Sequence, residues 1–155
     1  MTTHCWFEVK IRYEKVMENG MQKKVSELYL IDALSFTEAE ARAIEEFTPF
    51  ISGEFTISDM KRASYSEIFT SEREEDDLWF KAKLVFVTLD EKSGAEKKTS
   101  TQVLVQAVDL RVAREYIDQN MKGTMADYQI ASISETPIVD VYFYDPEQES
   151  SLTDV

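Results

Sequence analysis

The residue pair best suited to covalent catalysis is His4 beside Cys5, the only histidine and the only cysteine of the 155-residue chain. An imidazole activates a thiol only when the two side chains converge. Neighbouring residues of an extended strand point to opposite faces, so we do not expect this pair to react. One histidine and one cysteine also cannot assemble a Cys/His zinc site within a single chain. These residue types therefore predict no catalytic residue and no zinc centre.

Carboxylates are abundant, but their spacing does not predict a metal or cofactor site. The acidic run at residues 74–77 lacks the glycine and the spaced oxygen ligands of a calcium loop. Glu45 and Glu46 fall on a predicted helix with Arg42, as is typical of an exposed charged face. The chain has no glycine-rich loop of the kind that holds phosphate groups. We therefore expect neither a metal nor a cofactor.

The residues best suited to binding a partner are basic and occur in two matching sets. They are Lys10, Arg12, Lys23 and Lys24 in the first half of the chain, and Lys81, Lys83, Lys97 and Lys98 in the second half. Two equivalent cationic hairpin faces could contact the phosphates of a nucleic acid. The alternative is that lysines on outer strand faces only prevent edge-to-edge aggregation.

The segment KRASYSEIF is a further candidate surface. It offers Lys61, Arg62 and Tyr65 between two predicted strands, where they could contact a peptide or a nucleic acid. The same tyrosine could instead anchor a connection between those strands. Both interpretations stay open at the level of the sequence.

The candidate residues belong to a unit of roughly seventy residues that occurs twice. The only two tryptophans open equivalent Trp-Phe pairs at Trp6 and Trp79. The strings WFEVKIRY and WFKAKLVF that begin there alternate apolar and polar residues, which predicts half-buried strands. A turn containing Gly20 or Gly94 then leads into a second strand.

Each copy is also predicted to contain a helix of about twelve residues, because apolar residues recur there with helical spacing. The predicted buried stripes are Phe36, Ala39, Ala43 and Phe47 in the first copy and Leu110, Ala113, Ile117 and Met121 in the second. Ser35 with Glu38 forms a capping-box pattern, and Asp109 has the equivalent N-cap position. Two more strands are predicted to follow each helix as a pair, the last at residues 65–69 and 138–142.

The predicted fold class is α+β, with an internally duplicated β-β-α-β-β unit and two related lobes packed with pseudo-twofold symmetry. The boundaries are residues 1–71 for the first repeat, 72–77 for an acidic linker, 78–144 for the second repeat and 145–155 for a flexible acidic tail. The linker and the tail each contribute −4 to the net charge of −13. We expect both segments to be solvated.

The hydropathy pattern predicts a cytoplasmic protein with no membrane partner. No stretch approaches the roughly 18 apolar residues that a transmembrane helix needs. The polar MTTHC start does not match a secretory signal peptide.

Four strings carry a family resemblance: YLIDALSFTEAEARAIEE, ISGEFTISDMKRASYSEIF, LDEKSGAEKK and MKGTMADYQIASISET. Together they resemble an uncharacterised domain-of-unknown-function family common in Bacteroidetes. The likeness extends from Trp6 to about Tyr144. It implies a bacterial origin and carries over no activity, ligand or catalytic residue.

The duplication accounts for most residues as scaffold, so we expect a non-catalytic binding or protein-interaction protein whose partner is another protein. Two alternatives stay open. The first is a nucleic-acid-binding module that uses the paired basic hairpins, and the second is an enzyme whose site forms between lobes or between subunits. Homodimerisation through an exposed hairpin edge is a further option.

Overall fold

The structure is a computed structural model that describes residues 5–124 and 127–144. Within these residues, the alternating and helical patterns of the sequence produce eight strands and two helices. In chain order they are β1 (Trp6–Val16), β2 (Gln22–Asp32), α1 (Phe36–Phe47), β3 (Phe55–Ala63), β4 (Glu67–Phe69), β5 (Leu78–Leu89), β6 (Glu96–Ala107), α2 (Leu110–Met121), β7 (Tyr128–Glu135) and β8 (Ile138–Tyr142). The mixture confirms the predicted α+β class. His4 and the predicted tail at residues 145–155 lie outside the described residues.

Both helices begin at the predicted N-caps, because a side-chain oxygen satisfies a free backbone N–H in the first turn. The Oγ of Ser35 accepts a hydrogen bond from the backbone N–H of Glu38 at 3.1 Å. The Oδ1 of Asp109 accepts one from the backbone N–H of Val112 at 2.8 Å. Within the described residues, no helix is long and apolar enough to cross a membrane.

The first unit extends to Ser64 and resumes at Ile138. Its sheet has the strand order β3-β1-β2-β8, in which β1 is antiparallel to both neighbours and β8 is parallel to β2. Helix α1 packs on one face of β1 and β2. The core between helix and sheet consists of the fully or nearly fully buried residues Phe7, Val9, Ile11, Tyr29, Ile31, Ala33, Ala39, Ala43 and Phe47.

The second unit spans Tyr65–Pro137 and has the sheet order β4-β6-β5-β7. Strand β5 is antiparallel to β6 and β7, and β4 is parallel to β6. Helix α2 packs on β6, β7 and β4. The core residues are Phe80, Ala82, Leu84, Val103, Val105, Ala107, Ala113 and Ile117.

The predicted buried stripe is wrong at the first residue of each helix. Phe36 is 46% exposed and Leu110 is 51% exposed. In the first unit the reason is that α1 packs mainly on β1 and β2. Its first residue therefore lies beside the edge strand β3, where no further layer covers it.

The last two strands of each predicted repeat do not pair with each other, contrary to the sequence-based expectation. Strand β3 pairs with β1, whereas β4 pairs with β6 of the second unit, and β8 pairs with β2 of the first unit. The compact units consequently divide after Ser64 and before Ile138, not at the predicted limits of 1–71 and 78–144. Alternation along a strand defines its buried face but does not define its neighbour, because any strand of suitable length can satisfy a free sheet edge.

The predicted acidic linker at residues 72–77 is mostly exposed, but it is anchored at one position. Asp76 is only 2% exposed. Its Oδ2 accepts hydrogen bonds from the Oγ of Ser71 at 2.5 Å and from the phenol of Tyr116 on α2 at 2.6 Å. A buried carboxylate is stable only when such donors replace its lost hydration. The linker is therefore fixed to the second unit by one carboxylate and is not solvated throughout.

Candidate functional site

A groove in the first unit lies between α1 and β3, and we call it the α1/β3 groove. Phe36, Glu40 and Ile44 line it from the helix, and residues 53–60 line it from the strand. The three helix residues are four positions apart and so share one face of α1. The groove is open and encloses about 870 Å³.

The walls of the α1/β3 groove are largely apolar. Phe36 is 46% exposed and Ile44 is 45% exposed on the helix side. Phe55, Ile57 and Met60 are half-buried on the strand side and pack against the core. The ring of Phe36 also meets the ring of the buried Phe7 edge-on, with centroids 4.9 Å apart, so this wall is held in place. Contiguous exposed apolar surface of this kind marks interaction sites.

Strand β3 forms the other wall and is an edge strand. One side of β3 pairs with β1, and within the described residues no strand pairs with its other side. The ladder shifts register between Lys10 and Ile11, which leaves Ser58 as an extra residue in β3. An unpaired edge offers backbone donors and acceptors to an added strand, and a bulge restricts how much of the edge can be used.

The charges that line the α1/β3 groove are acidic. Glu40 and Glu54 are exposed, and no basic side chain lines the groove. A third lining residue, Asp59, is already balanced, since it lies opposite Lys10 in the ladder and 3.9 Å from the ammonium group of Lys61. The groove thus combines an apolar wall with two uncompensated carboxylates.

The second unit has a corresponding groove between α2 and β7, which we call the α2/β7 groove. Its helix wall carries different residue types at the positions that correspond to Glu40 and Ile44. Arg114 and Asp118 line it where Glu40 and Ile44 line the α1/β3 groove. The phenol of Tyr128, the first residue of β7, donates a hydrogen bond to Asp118 at 2.7 Å. Burial and this hydrogen bond raise the pKa of Tyr128 above its ordinary value. The bond ties α2 to its edge strand, and the groove encloses about 680 Å³.

A cluster of tyrosines surrounds the carboxylate of Glu27 on the helix-covered face of the first sheet. The phenol of Tyr29 donates to Glu27 at 3.3 Å. Burial, followed by the hydrogen bond to Glu27, raises the pKa of Tyr13 to about 12. Burial and the Glu27 charge also raise the pKa of Tyr29 well above its ordinary range. The rings of Tyr29, Phe47 and Tyr142 pack against one another at centroid distances of 4.4 to 5.9 Å, so the cluster is filled and has a structural role.

We predict that the first unit loses stability above pH 10 because of these tyrosines. A folded-state pKa of about 12 for Tyr13 lies above the unfolded value of about 10. The stabilisation is therefore complete below pH 10 and disappears as the pH rises towards 12. Replacing Glu27 with Gln should lower the pKa of Tyr13, because the neutral amide no longer repels the phenolate. Phenolate absorbance during alkaline titration measures this shift, and an unchanged titration in E27Q would contradict the prediction.

The basic residues of the first hairpin are exposed but interleaved with acidic ones. Lys10 and Arg12 share the outer face of β1, and Lys24 lies directly opposite Glu14 on that face. Lys23 is the neighbour of Lys24 in β2 and so points to the other face. The predicted single cationic face of this hairpin is therefore divided.

The basic residues of the second hairpin are less balanced by acids. Lys81 and Lys83 share the outer face of β5, opposite Ser134 and Ser132 of β7. The adjacent residues Lys97 and Lys98 of β6 again point to opposite faces. Nucleic-acid binding by these hairpins stays a prediction.

The three candidate residues of the segment KRASYSEIF differ in their exposure to solvent. Lys61 and Arg62 belong to β3, and both are exposed. Tyr65 is only 9% exposed, so it does not contribute to a binding surface. Its burial agrees with the anchoring alternative that the sequence left open.

Sequence reasoning did not identify the α1/β3 groove. The available signal was Ile44, an apolar residue outside the predicted buried stripe of α1. A similar signal existed for the tyrosine cluster, because Glu27 occupies an inward-facing position between the inward-facing Val25 and Tyr29. Cys5 is half-buried against the first core. Among residues 5–124 and 127–144, no group of three or more His, Cys, Asp and Glu side chains is placed to hold a metal ion.

Fold and site together define an α+β protein with two helix-on-sheet units, of which the first carries an open apolar groove beside an edge strand. The chain belongs to the family described as Domain of unknown function (DUF4494), whose model matches residues 5–144. This match confirms the inferred resemblance to an uncharacterised domain family. A comparison with curated proteins found no match.

Proposed function

We propose that this protein is a non-catalytic interaction protein that binds an extended segment of a partner polypeptide in the α1/β3 groove. The observation that carries the proposal is the apolar groove formed by Phe36 and Ile44 alongside the edge strand β3. An extended peptide that joins a sheet edge gains main-chain hydrogen bonds, and its alternate side chains enter the adjoining groove.

The bulge at Ser58 makes this mode of binding dependent on side chains. It interrupts the regular ladder of β3, so a bound strand finds only short regular stretches on either side. Backbone pairing by itself then contributes little affinity. Recognition is expected to depend on apolar side chains that bury the exposed surfaces of Phe36 and Ile44.

We also propose that the chain arose by internal duplication. Each half has the order β-β-α-β-β, each helix has a side-chain N-cap, and the first strand of each half has a register shift, between Lys10 and Ile11 or between Lys83 and Leu84. A shared origin explains why two grooves occur, and divergence explains why only the α1/β3 groove is untethered. A cytoplasmic location and a bacterial origin stay predictions from the sequence.

The test introduces into the first unit the hydrogen bond that joins Asp118 of α2 to Tyr128 of β7, which we call the tether of the second unit. Replacing Ile44 with Asp and Phe55 with Tyr places the Asp118–Tyr128 pair at the corresponding positions of α1 and β3. Peptides of nine residues, the length of β3, are first selected from a random displayed library with the parent protein. We expect the double variant to bind the selected peptides at least about tenfold more weakly, since the groove is closed and an apolar wall is lost.

Two controls accompany the test. Arg114→Glu changes a lining residue of the second groove without removing the hydrogen bond between Tyr128 and Asp118, and it should leave binding of the selected peptides unchanged. Phe50→Ser replaces an 81% exposed apolar residue that does not line the groove, and it should also have no effect. Failure to select any peptide, or equal binding by the parent and the double variant, would refute the proposal.

A further inference from the structure

The two uncompensated carboxylates of the α1/β3 groove indicate which segments it accepts. Glu40 lies on the helix between Phe36 and Ile44, one turn from each, and Glu54 immediately precedes β3. Both are exposed, and neither forms an ion pair with a described residue. No basic side chain lines the groove, and the guanidinium of Arg62 stacks over Phe7, the ring that Phe36 meets. A cationic side chain that enters beside Glu40 and Glu54 would therefore meet two carboxylates.

The spacing of the helix residues matches that of a bound strand. Positions four residues apart on a helix are separated by about 6 Å along its axis. Side chains two residues apart on an extended peptide lie on one face and are separated by about 6.6 Å. A peptide side chain opposite Glu40 therefore places the next side chain on the same face opposite Ile44 or Phe36.

We infer that the α1/β3 groove selects extended peptide segments in which a lysine or arginine is two positions from a bulky apolar residue. The inference rests on the proposed function and adds the chemical class of the partner to it. The basic side chain pairs with Glu40 and Glu54, and the apolar side chain covers the exposed surface of Ile44 or Phe36.

Electrostatic repulsion disfavours three other candidate occupants of the α1/β3 groove. The chain's own segment at residues 145–155 carries a net charge of −4, and a second copy of the chain carries −13 overall. Either would bring further negative charge to Glu40 and Glu54, and so would the phosphates of a nucleic acid. A basic, partly apolar peptide is the class that removes this repulsion and buries the apolar wall.

The second unit provides the matched contrast. Arg114 occupies the helix position that corresponds to Glu40, and the hydrogen bond between Tyr128 and Asp118 spans that groove. The α2/β7 groove therefore lacks both the excess negative charge and the open apolar wall. Selectivity for basic segments is expected only in the first unit.

Three synthetic peptides of nine residues test the inference, each built on an alternating threonine framework and labelled for fluorescence anisotropy. The first carries lysine two positions from leucine, the second carries glutamate in place of lysine, and the third carries serine in place of leucine. We expect the first peptide to bind at least about tenfold more tightly than the other two at low salt. Its advantage over the glutamate peptide should shrink as salt screens the charges.

Reversing one groove charge should reverse the preference. Glu40→Arg introduces the residue of the second unit at an exposed position and should make the glutamate peptide the better ligand of the two charged peptides. Glu40→Gln should reduce the preference without reversing it. Arg114→Glu is the matched control on α2 and should leave the preference unchanged, while circular dichroism verifies that each variant is folded.

The outcomes distinguish this inference from the proposed function. Equal binding of the lysine and glutamate peptides would overturn the selectivity. If that binding is also lost in the Ile44→Asp and Phe55→Tyr double variant, the groove remains a peptide site. Binding of the lysine peptide that is unaffected by Glu40→Arg would also overturn it. If neither the synthetic peptides nor the random library yields a ligand, the proposed function fails and the inference fails with it.

Discussion

Deleting residues 138–155 should unfold the first unit while the second unit stays folded. Strand β8 comes from the C-terminal part of the chain but completes the sheet of the first unit by pairing with β2. The deletion removes Ile138 and Val141, which are 5% and 9% exposed, and uncovers the edge of β2. Each buried aliphatic side chain contributes about 1.5–3 kcal/mol. Their loss together with the strand pairing approaches the total stability of a small domain, roughly 5–15 kcal/mol.

Amide hydrogen exchange, followed residue by residue, measures this result. Protection should disappear from β1 and β2 and persist in β5 and β6. Deleting only residues 145–155 is the control, and it should preserve protection in both units because β8 remains. A fragment of residues 65–137 contains every strand of the second sheet and should fold by itself. A protected first unit after deletion of β8 would contradict the prediction.

Replacing Asp76 with Ala should lower the free energy of unfolding of the second unit by about 2–3 kcal/mol. The change leaves the hydroxyls of Ser71 and Tyr116 without the acceptor that both now use. It also releases the segment before β5 from α2. Chemical denaturation monitored by tyrosine and tryptophan fluorescence measures the effect. Asp77→Ala alters the exposed neighbour and should change stability little, so equal effects of the two substitutions would contradict the prediction.

The carboxylate of Asp76 should make the stability of the second unit depend on pH in the acid range. Burial alone would raise the pKa of Asp76, but the hydrogen bonds from Ser71, Tyr116 and the backbone of Val108, together with the charge of Arg73, outweigh burial and hold that pKa below its ordinary value. A lowered folded-state pKa means that the stabilisation is present above the unfolded value of about 3.9 and disappears as the pH falls through the folded value. The loss of stability below about pH 4 should therefore be smaller in Asp76→Ala than in the parent.

The local elements of the fold could be predicted because their causes are local. Alternation from Trp6 and Trp79 identifies β1 and β5, and the N-cap residues Ser35 and Asp109 fix the starts of both helices. The last strand of each half was also placed correctly in the sequence, at β4 and β8. The neighbour with which each of these strands pairs could not be predicted, because strand pairing depends on sequence-distant backbone groups that leave no periodic signal.

The candidate site was less predictable than the fold. The charge pattern of the sequence favours the basic hairpins, but Glu14 and Asp59 lie opposite two of the cations in the first unit. The groove depends instead on where α1 sits on its sheet. A shift of the helix towards β3 would cover Phe36 and Ile44 and remove the groove, without changing any feature that the sequence displays.

The sequence by itself determined the α+β class, the ten elements of the described chain, the helix caps and the inward faces of the main strands, because each follows from the order of neighbouring residues. Only the tertiary structure decided that β4 and β8 complete the sheets of the opposite halves, that Asp76 is a buried anchor, and that α1 leaves β3 uncovered. Each of these depends on which distant surfaces meet. Hydrophobic burial drives those surfaces together without direction, and the geometry of packing selects among the arrangements that bury them.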